Sequence, residues 1–144
     1  MDTKSELSLP VWLQERSLPH AISLQIITMD QEVIFSSEGK WLHPLLDAKI
    51  FIDRHGLDAS ALVLHDRIAG RAAAALAVYI GFGMVKVDMM SRLAETVYIR
   101  YHIPYVAHTL VDRILCRTED EIDDNMDLSA IYKLIVERAQ KAKS

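Results

Sequence analysis

The amino-acid sequence predicts an α/β fold, a three-layer α/β/α sandwich with a mixed β-sheet. Two observations support this class. Apolar and polar residues alternate in "AISLQIITM" and in "EVIFSS", and the intervening "DQ" predicts a tight turn, so residues 21–36 are expected to form an N-terminal β-hairpin. Helical and strand-like segments then alternate along the chain, and this order implies crossover connections with helices covering the sheet.

A short helix is predicted before the hairpin and a longer one after it. "PVWLQERSL" predicts an amphipathic helix that ends near Pro19, and "WLHPLLDAKIFIDRHG" predicts a helix that ends at Gly56. "SALVLH" is short and apolar, which is typical of a buried strand. The next helix is expected to open at Asp66 and to end near Gly81, with its alanine run lying close against the sheet.

The second half of the chain continues the alternation. "MVKVDM" and "IPYVA" predict two strands, separated by a helix that Ser91 caps and that has one apolar face, formed by Leu93, Val97 and Tyr101. "TLVDRILC" predicts one or two helical turns. An acidic loop at 119–127 leads to a terminal helix over "SAIYKLIVERAQKAK", capped by Asp127, which is expected to turn four apolar residues inward: Ile131, Leu134, Ile135 and Ala139.

Composition limits the classes of protein to which the chain can belong. With 144 residues, 51% of them hydrophobic and 25% charged, the chain suits one globular domain. The net charge of −4 argues against nucleic-acid binding, and no apolar run is long enough to predict a membrane span. The first residues lack a secretory signal, and the single cysteine, Cys116, suits a reducing cytoplasm and predicts a buried, inert thiol.

Two long segments, "ISLQIITMDQEVIFSSEGKWLHPLLD" and "ALVLHDRIAGRAAAALAVYIG", resemble the bacterial DUF1893 family of unknown function. The resemblance continues through "YIRYHIPYVAHTLVDRILCR". Because that family has a cytidine-deaminase-like fold, the resemblance implies a deaminase-like domain over residues 18–127. Residues 1–17 would then form an N-terminal helix that packs on this domain, and residues 128–144 a C-terminal helical extension.

The resemblance does not extend to the chemistry of a zinc deaminase. Such an enzyme needs His-x-Glu at one helix start and Pro-Cys-x-x-Cys at the next. Here His43 is followed by Leu45 where glutamate is required, and "HDRIAG" contains no cysteine. The late Cys-Pro-Met-Glu of the family is likewise replaced by "DNMD" at 124–127. One histidine cannot complete a tetrahedral zinc site, so we expect a pseudoenzyme with no zinc, no other cofactor and no hydrolytic deamination.

The predicted helix start at Asp66 is the leading candidate for a binding site. Free backbone N–H groups and the helix dipole favour an anion there, and Arg67 and Arg71, four residues apart, would project from one helix face. We therefore expect a small anionic or nucleotide-like ligand, bound by Asp66, Arg67, Gly70, Arg71 and His43. In the structural alternative, Asp66 only caps the helix and both arginines reach solvent.

Two other functions are compatible with the sequence. A non-zinc enzyme would use Asp66 or His43 as an acid or base on a similar ligand. Alternatively, the chain is a homodimeric interaction module without a ligand, and either the terminal helix or the second hairpin strand forms the interface.

No metal site is predicted. No two histidines have the spacing that a helix needs for metal binding. Asp123, Asn125 and Asp127 imitate the first ligands of a calcium loop, but Leu128 stands where glycine is required and Leu134 where the bidentate glutamate is required.

Overall fold

The structure is a computed structural model that describes residues 9–114, 121–123 and 125–143. Within these ranges a one-turn 3₁₀ helix at Ala59–Ala61 precedes the third strand. The other elements are, in chain order, α1 (Val11–Glu15), β1 (Leu24–Thr28), β2 (Val33–Ser37), α2 (His43–His55), β3 (Leu62–Ala69), α3 (Arg71–Ile80), β4 (Met84–Ser91), α4 (Arg92–Arg100), β5 (Tyr105–Val111) and α5 (Leu128–Lys143).

The five strands form one mixed sheet in the order β2-β1-β3-β4-β5. β1 pairs antiparallel with both β2 and β3, whereas β3, β4 and β5 run parallel to one another. Each crossover moves one strand further in the same direction, so two crossovers of the same hand place α3 and α4 on one face of the sheet. The predicted α/β class, the mixed sheet and the N-terminal hairpin are confirmed.

The two faces of the sheet are covered unequally. Leu24 and Leu64 face a large core that contains buried residues of α2, α3, α4 and α5, including every residue from Ala72 to Ala77. On the opposite face, Ile27 and Val63 form a small cluster with Leu13 of α1. In the described residues the longer helices therefore share one core, and the cytidine-deaminase-like three-layer arrangement is not confirmed.

Helix α3 begins five residues later than the sequence predicts. Asp66 lies within β3, which continues to Ala69 and pairs with β4 as far as Met90. Gly70 is the N-cap, and Arg71 is the first helical residue. The prediction that a helix opens at Asp66 is therefore wrong, because pairing with β4 extends the strand through residues whose local sequence is typical of a helix cap.

Three smaller predictions also need correction. α1 ends at Glu15, before Pro19. The segment predicted as helical turns continues β5 as far as Val111, and its last residues, with Cys116, lie outside the described ranges. In α4 the fully buried residues are Ala94 and Tyr98, whereas the three residues predicted to form its apolar face are only partly buried.

The predicted helix ends are confirmed where local chemistry determines them. Gly56 ends α2 in the left-handed region, at φ 61°. The Ser91 hydroxyl accepts a hydrogen bond from the Ala94 N–H at 3.0 Å, and the Asp127 carboxylate accepts one from the Ala130 N–H at 2.8 Å. In α5 three of the four predicted residues are buried and the fourth is partly buried: Ile131, Ile135 and Ala139, then Leu134.

Gly83 lies closer to neighbouring backbone than Gly39, Gly56 or Gly81 does. Its N–H donates to the carbonyls of Ala59 and Leu62, and a Cβ added there would lie 2.2 Å from the Ser60 carbonyl oxygen. We expect Gly83→Ala to lower the free energy of unfolding by about 1–3 kcal/mol, because backbone must move. Gly56→Ala is the control, since a Cβ there meets nothing within 4 Å and only the left-handed backbone is strained. Urea unfolding measures the loss in free energy of unfolding in each variant. A loss in Gly56→Ala as large as that in Gly83→Ala would contradict this prediction.

Candidate functional site

The fold brings two helix starts towards the edge of the sheet at which β3 ends. Register pairs join Ser37 to Leu24 and Leu24 to Asp66, so β2 and β3 end side by side. The chain leaves β2 for the start of α2 at His43, and leaves β3 through Gly70 for the start of α3. Ligands of open α/β sheets bind beyond the carboxyl ends of parallel strands, which is the edge where these residues lie.

The two arginines of the sequence prediction lie on different elements. Arg67 belongs to β3 and donates to the carbonyl oxygen of Ile22 at 2.6 and 3.0 Å and to that of Pro19 at 3.0 Å. Its guanidinium also lies 3.7 Å from the Asp88 carboxylate. The expectation that Arg67 and Arg71 share one helix face is wrong, and Arg67 instead attaches the chain before β1 to the end of β3.

Asp66 is buried, with 8% of its surface exposed. Burial raises its pKa to about 8, and the charge of Asp88 adds to this rise, while the backbone N–H groups of Arg67 and Ile68 act in the opposite direction. Tyr98 is fully buried, and both its burial and the charge of Asp66 raise its pKa. Burial therefore favours the protonated form of Asp66.

His43 is partly buried, and its ring lies edge-on to the ring of Trp41, with 5.1 Å between centroids. Trp41 has a left-handed backbone, at φ 58°, two residues before α2 begins at His43. No hydrogen bond or ion pair found in the described residues joins His43 to Asp66 or Arg67. The predicted binding residues thus lie on separate elements near the same edge of the sheet.

A buried polar network on the other face of the sheet was not predicted. Arg16 donates to His65 Nδ1 and to Gln25 Oε1, each at 2.8 Å, and Gln25 donates to the Ser36 hydroxyl at 3.1 Å. Because His65 Nδ1 is an acceptor, its Nε2 carries the proton and donates to Asp88 at 2.8 Å. Burial lowers the pKa of His65 to about 4, so the ring is neutral.

Lys86 completes the attachment of residues 9–19, which we call the N-terminal strap. The Lys86 ammonium group is buried and donates to the carbonyl oxygens of Gln14 at 2.7 Å and Arg16 at 2.6 Å. Burial lowers the pKa of Lys86, while the charge of Asp88 raises it. These hydrogen bonds hold the strap against the sheet.

A cleft of about 190 Å³ lies between α3, α4 and the start of α5. Arg71 and Arg100 line it together with Asp123, and the apolar part of its wall includes Val97, Met126 and Ile131. Arg71 Nη1 donates to the Ile122 carbonyl oxygen at 2.9 Å, and the Arg100 guanidinium lies 5.3 Å from the centre of the Tyr101 ring. Sequence reasoning identified Arg71 but missed Arg100, which is adjacent only in the folded chain.

The described ranges contain no group of three or more histidine, cysteine, aspartate or glutamate side chains suited to a metal ion. The residues that imitate a calcium loop serve local structure instead. The Asp123 carboxylate accepts a hydrogen bond from the Asn125 N–H at 2.8 Å, and Asp127 caps α5.

Comparison with solved structures identifies a protein with the same fold. A crystal structure of a DUF1893 family protein from Thermotoga maritima superimposes with a TM-score of 0.72. The alignment covers 81% of this chain and 80% of the other, with 17% sequence identity. No protein-family model and no curated protein sequence matches the chain. The class defined by these findings is an α/β domain with the fold of that DUF1893 protein. Among the described helices, none combines the length and apolar character that crossing a membrane requires.

Proposed function

We propose that this domain binds a small anionic ligand in the cleft between α3 and α4. The observation that carries the proposal is that two arginines, Arg71 and Arg100, line the same small cavity. Guanidinium groups bind carboxylates and phosphates through paired hydrogen bonds and keep their charge at every physiological pH. Asp123 lies on the wall of the same cleft.

The position of Arg71 adds a second reason. As the first residue of α3 it lies at the positive end of the helix dipole, where a cationic side chain is unfavourable. A bound anion would offset part of that cost, in addition to the contact with the Ile122 carbonyl. This argument applied to both arginines in the sequence, and it now applies to Arg71 alone because Arg67 lies on a strand.

The size of the cleft restricts the ligand. Sites for drug-sized molecules enclose roughly 300–1,000 Å³, and this cleft has about 190 Å³. A phosphate or a small carboxylate fits that volume better than a whole nucleotide. The apolar wall beside the arginines favours an anion that carries a short hydrocarbon portion.

Thermal unfolding with inorganic phosphate, pyrophosphate and citrate tests the proposal. At 100 times its dissociation constant a ligand adds about 2.7 kcal/mol to stability, which raises the Tm of a chain of this size by several degrees. We expect a saturable rise for the wild type and its loss in Arg100→Ala. Arg54→Ala, which removes an exposed arginine at the end of α2, is the matched control and keeps the rise. Equal shifts in Arg100→Ala and Arg54→Ala would contradict the proposal.

The structure also favours a second candidate, in which Asp66 acts as an acid or base. A carboxyl group with a pKa of about 8 holds a proton at neutral pH and can still release it, which is the property required of a general acid. A screen of phosphate esters and amides would then detect turnover that changes near pH 8 and is lost in Asp66→Asn. Unchanged turnover in a folded Asp66→Asn protein would exclude this role.

We further propose that the chain is a DUF1893-type protein with a cytidine-deaminase-like fold that lacks the zinc chemistry, and that it is cytoplasmic. The structural likeness to the Thermotoga maritima protein supports the first part. The replacement of the required glutamate by Leu45, and the missing cysteine pair, support the second. The single cysteine of the sequence suits a reducing compartment.

A further inference from the structure

Strand β5 lies at the edge of the sheet and is paired on one side by β4. Within the described ranges no strand pairs with its other side. The Val85 N–H donates to the Pro104 carbonyl oxygen at 3.0 Å, so the backbone at position 104 faces β4. Because alternate residues of a parallel strand direct their N–H and C=O groups to opposite sides, those of Tyr105 and Ala107 point away from β4.

This edge lacks the features that usually prevent sheet edges from associating. Soluble proteins protect such edges with charged residues, proline, bulges or very short strands. β5 has seven residues, "YVAHTLV", and it contains neither proline nor any aspartate, glutamate, lysine or arginine. The opposite edge, β2, has five residues, and its pairing with β1 shifts register between Ile26 and Ile27. β5 is therefore the better template for adding a strand.

Exposed apolar side chains lie near the β5 edge on both faces of the sheet. Ile68 of β3 is 49% exposed and Met89 of β4 is 40% exposed, and these register partners share one face. Leu110 of β5 is 38% exposed and pairs with Met90, the residue after Met89, so it lies on the other face. Leu110 therefore places an exposed apolar side chain on the edge strand itself.

We propose that β5 pairs antiparallel with β5 of a second copy of this chain, which joins two five-stranded sheets into one. A second copy fits because the strand carries no formal charge, so it meets itself without like-charge repulsion. In a dimer with a twofold axis, each β5 edge pairs with the other, so neither is left unpaired. Head-to-tail pairing would leave unpaired edges at the ends of the assembly. β5 and β2 are the two opposite edges of the sheet, so the proposed interface does not include β2. It also does not involve the cleft at Arg71 and Arg100.

Sedimentation equilibrium of the full chain tests this interface. We expect the wild type to be a dimer and Leu110→Lys to be a monomer at the same concentration, because lysine places like charges at a strand edge. Val33→Lys makes the same change at an exposed residue of β2 and is the matched control, which stays dimeric. Circular dichroism confirms that each variant is folded, and Thr109→Lys, also at an exposed position of β5, replaces Leu110→Lys if that variant does not fold.

Three results would overturn the proposal. The first is a wild type that remains monomeric up to its solubility limit. The second is a folded Leu110→Lys protein that dimerises as the wild type does. The third is dissociation by Val33→Lys while Leu110→Lys stays dimeric, which would assign the interface to β2. Loss of the dimer in Leu110→Lys alone supports β5 pairing, whether or not any anion binds the cleft.

Discussion

Asp66→Asn is expected to make the protein more stable at pH 8 by about 2–5 kcal/mol, and to change its stability little at pH 4. The reason is that burial raises the pKa of Asp66 from 3.8 to about 8 in the folded chain. Between these values the native state holds a proton that the unfolded state releases, so stability falls as pH rises through this window. Each unit of pKa difference corresponds to about 1.4 kcal/mol. Asparagine keeps the shape of the protonated carboxyl group and removes the charge.

The neighbouring residue, His65, has the opposite effect on stability. Burial lowers its pKa from 6.5 to about 4, so between these values the unfolded state binds more protons than the native state. Stability from His65 therefore rises with pH from about 4 to 6.5. In the wild type, the contributions of His65 and Asp66 to stability change in opposite directions between pH 4 and 6.5, and above pH 6.5 only the loss of stability due to Asp66 continues. In Asp66→Asn, stability still rises between pH 4 and 6.5 because of His65, but it no longer falls above pH 6.5 because of residue 66.

Urea unfolding of both proteins at several pH values measures this difference directly. Asp47→Asn, at an exposed position of α2, is the matched control, and its stability is expected to follow that of the wild type. At pH 8 the Tm of Asp66→Asn should exceed that of the wild type by on the order of 10 °C. Parallel curves for wild type and Asp66→Asn from pH 4 to pH 8 would show that folding does not raise the pKa of Asp66, which would contradict this prediction.

Arg16→Ala is expected to lower the free energy of unfolding by about 2–4 kcal/mol and to release the N-terminal strap. The guanidinium group is the donor for His65 Nδ1 and Gln25 Oε1, which lie on buried residues. A buried acceptor left without its donor costs about 1–3 kcal/mol, and alanine leaves two. The contacts of Lys86 with strap carbonyls remain, so the effect is partial.

The rate at which a protease cuts the N-terminal strap measures its release in Arg16→Ala. Limited proteolysis should cut Arg16→Ala within residues 9–19 faster than it cuts the wild type, while the rest of the chain is cut at a similar rate. Ser17→Ala, an exposed change in the same strap, is the control and should behave as the wild type does. The pKa of His65 should rise in Arg16→Ala, because the charge of Arg16 contributes to lowering it. An unchanged rate of cleavage would mean that apolar contacts such as that of Leu13 hold the strap without the network.

The features that were predictable from the sequence depend on neighbours along the chain. Alternation in β1 and β2, the left-handed glycine at Gly56 and the caps at Ser91 and Asp127 are each determined within a few residues. The start of α3 was misplaced because its position depends on β4. Asp66 has the local signature of a helix cap, but its strand continues because Val87 and its successors pair with it.

The candidate site was less predictable for the same reason. Arg67 contacts carbonyl groups that precede it by 45 and 48 residues, and Arg16 is 49 residues from His65. No pattern of spacing in one sequence specifies such contacts. Arg100 reaches the cleft because α4 packs beside α3, so its role could be recognised only after the fold was known. Asp66 was predicted to begin a helix and to bind a ligand, whereas in the structure it is a buried residue of β3.

The binding of a small anion between α3 and α4 is tested most directly by NMR. A titration of the ¹⁵N-labelled protein with phosphate, followed by backbone amide shifts, locates the site without any assumption about affinity. The proposal predicts saturable shifts at Arg71, Ala75, Thr96 and Arg100, and their loss in Arg100→Ala. Shifts that do not saturate, or that saturate at the sheet edge around Gly70 and His43 while the cleft is unaffected, would contradict it.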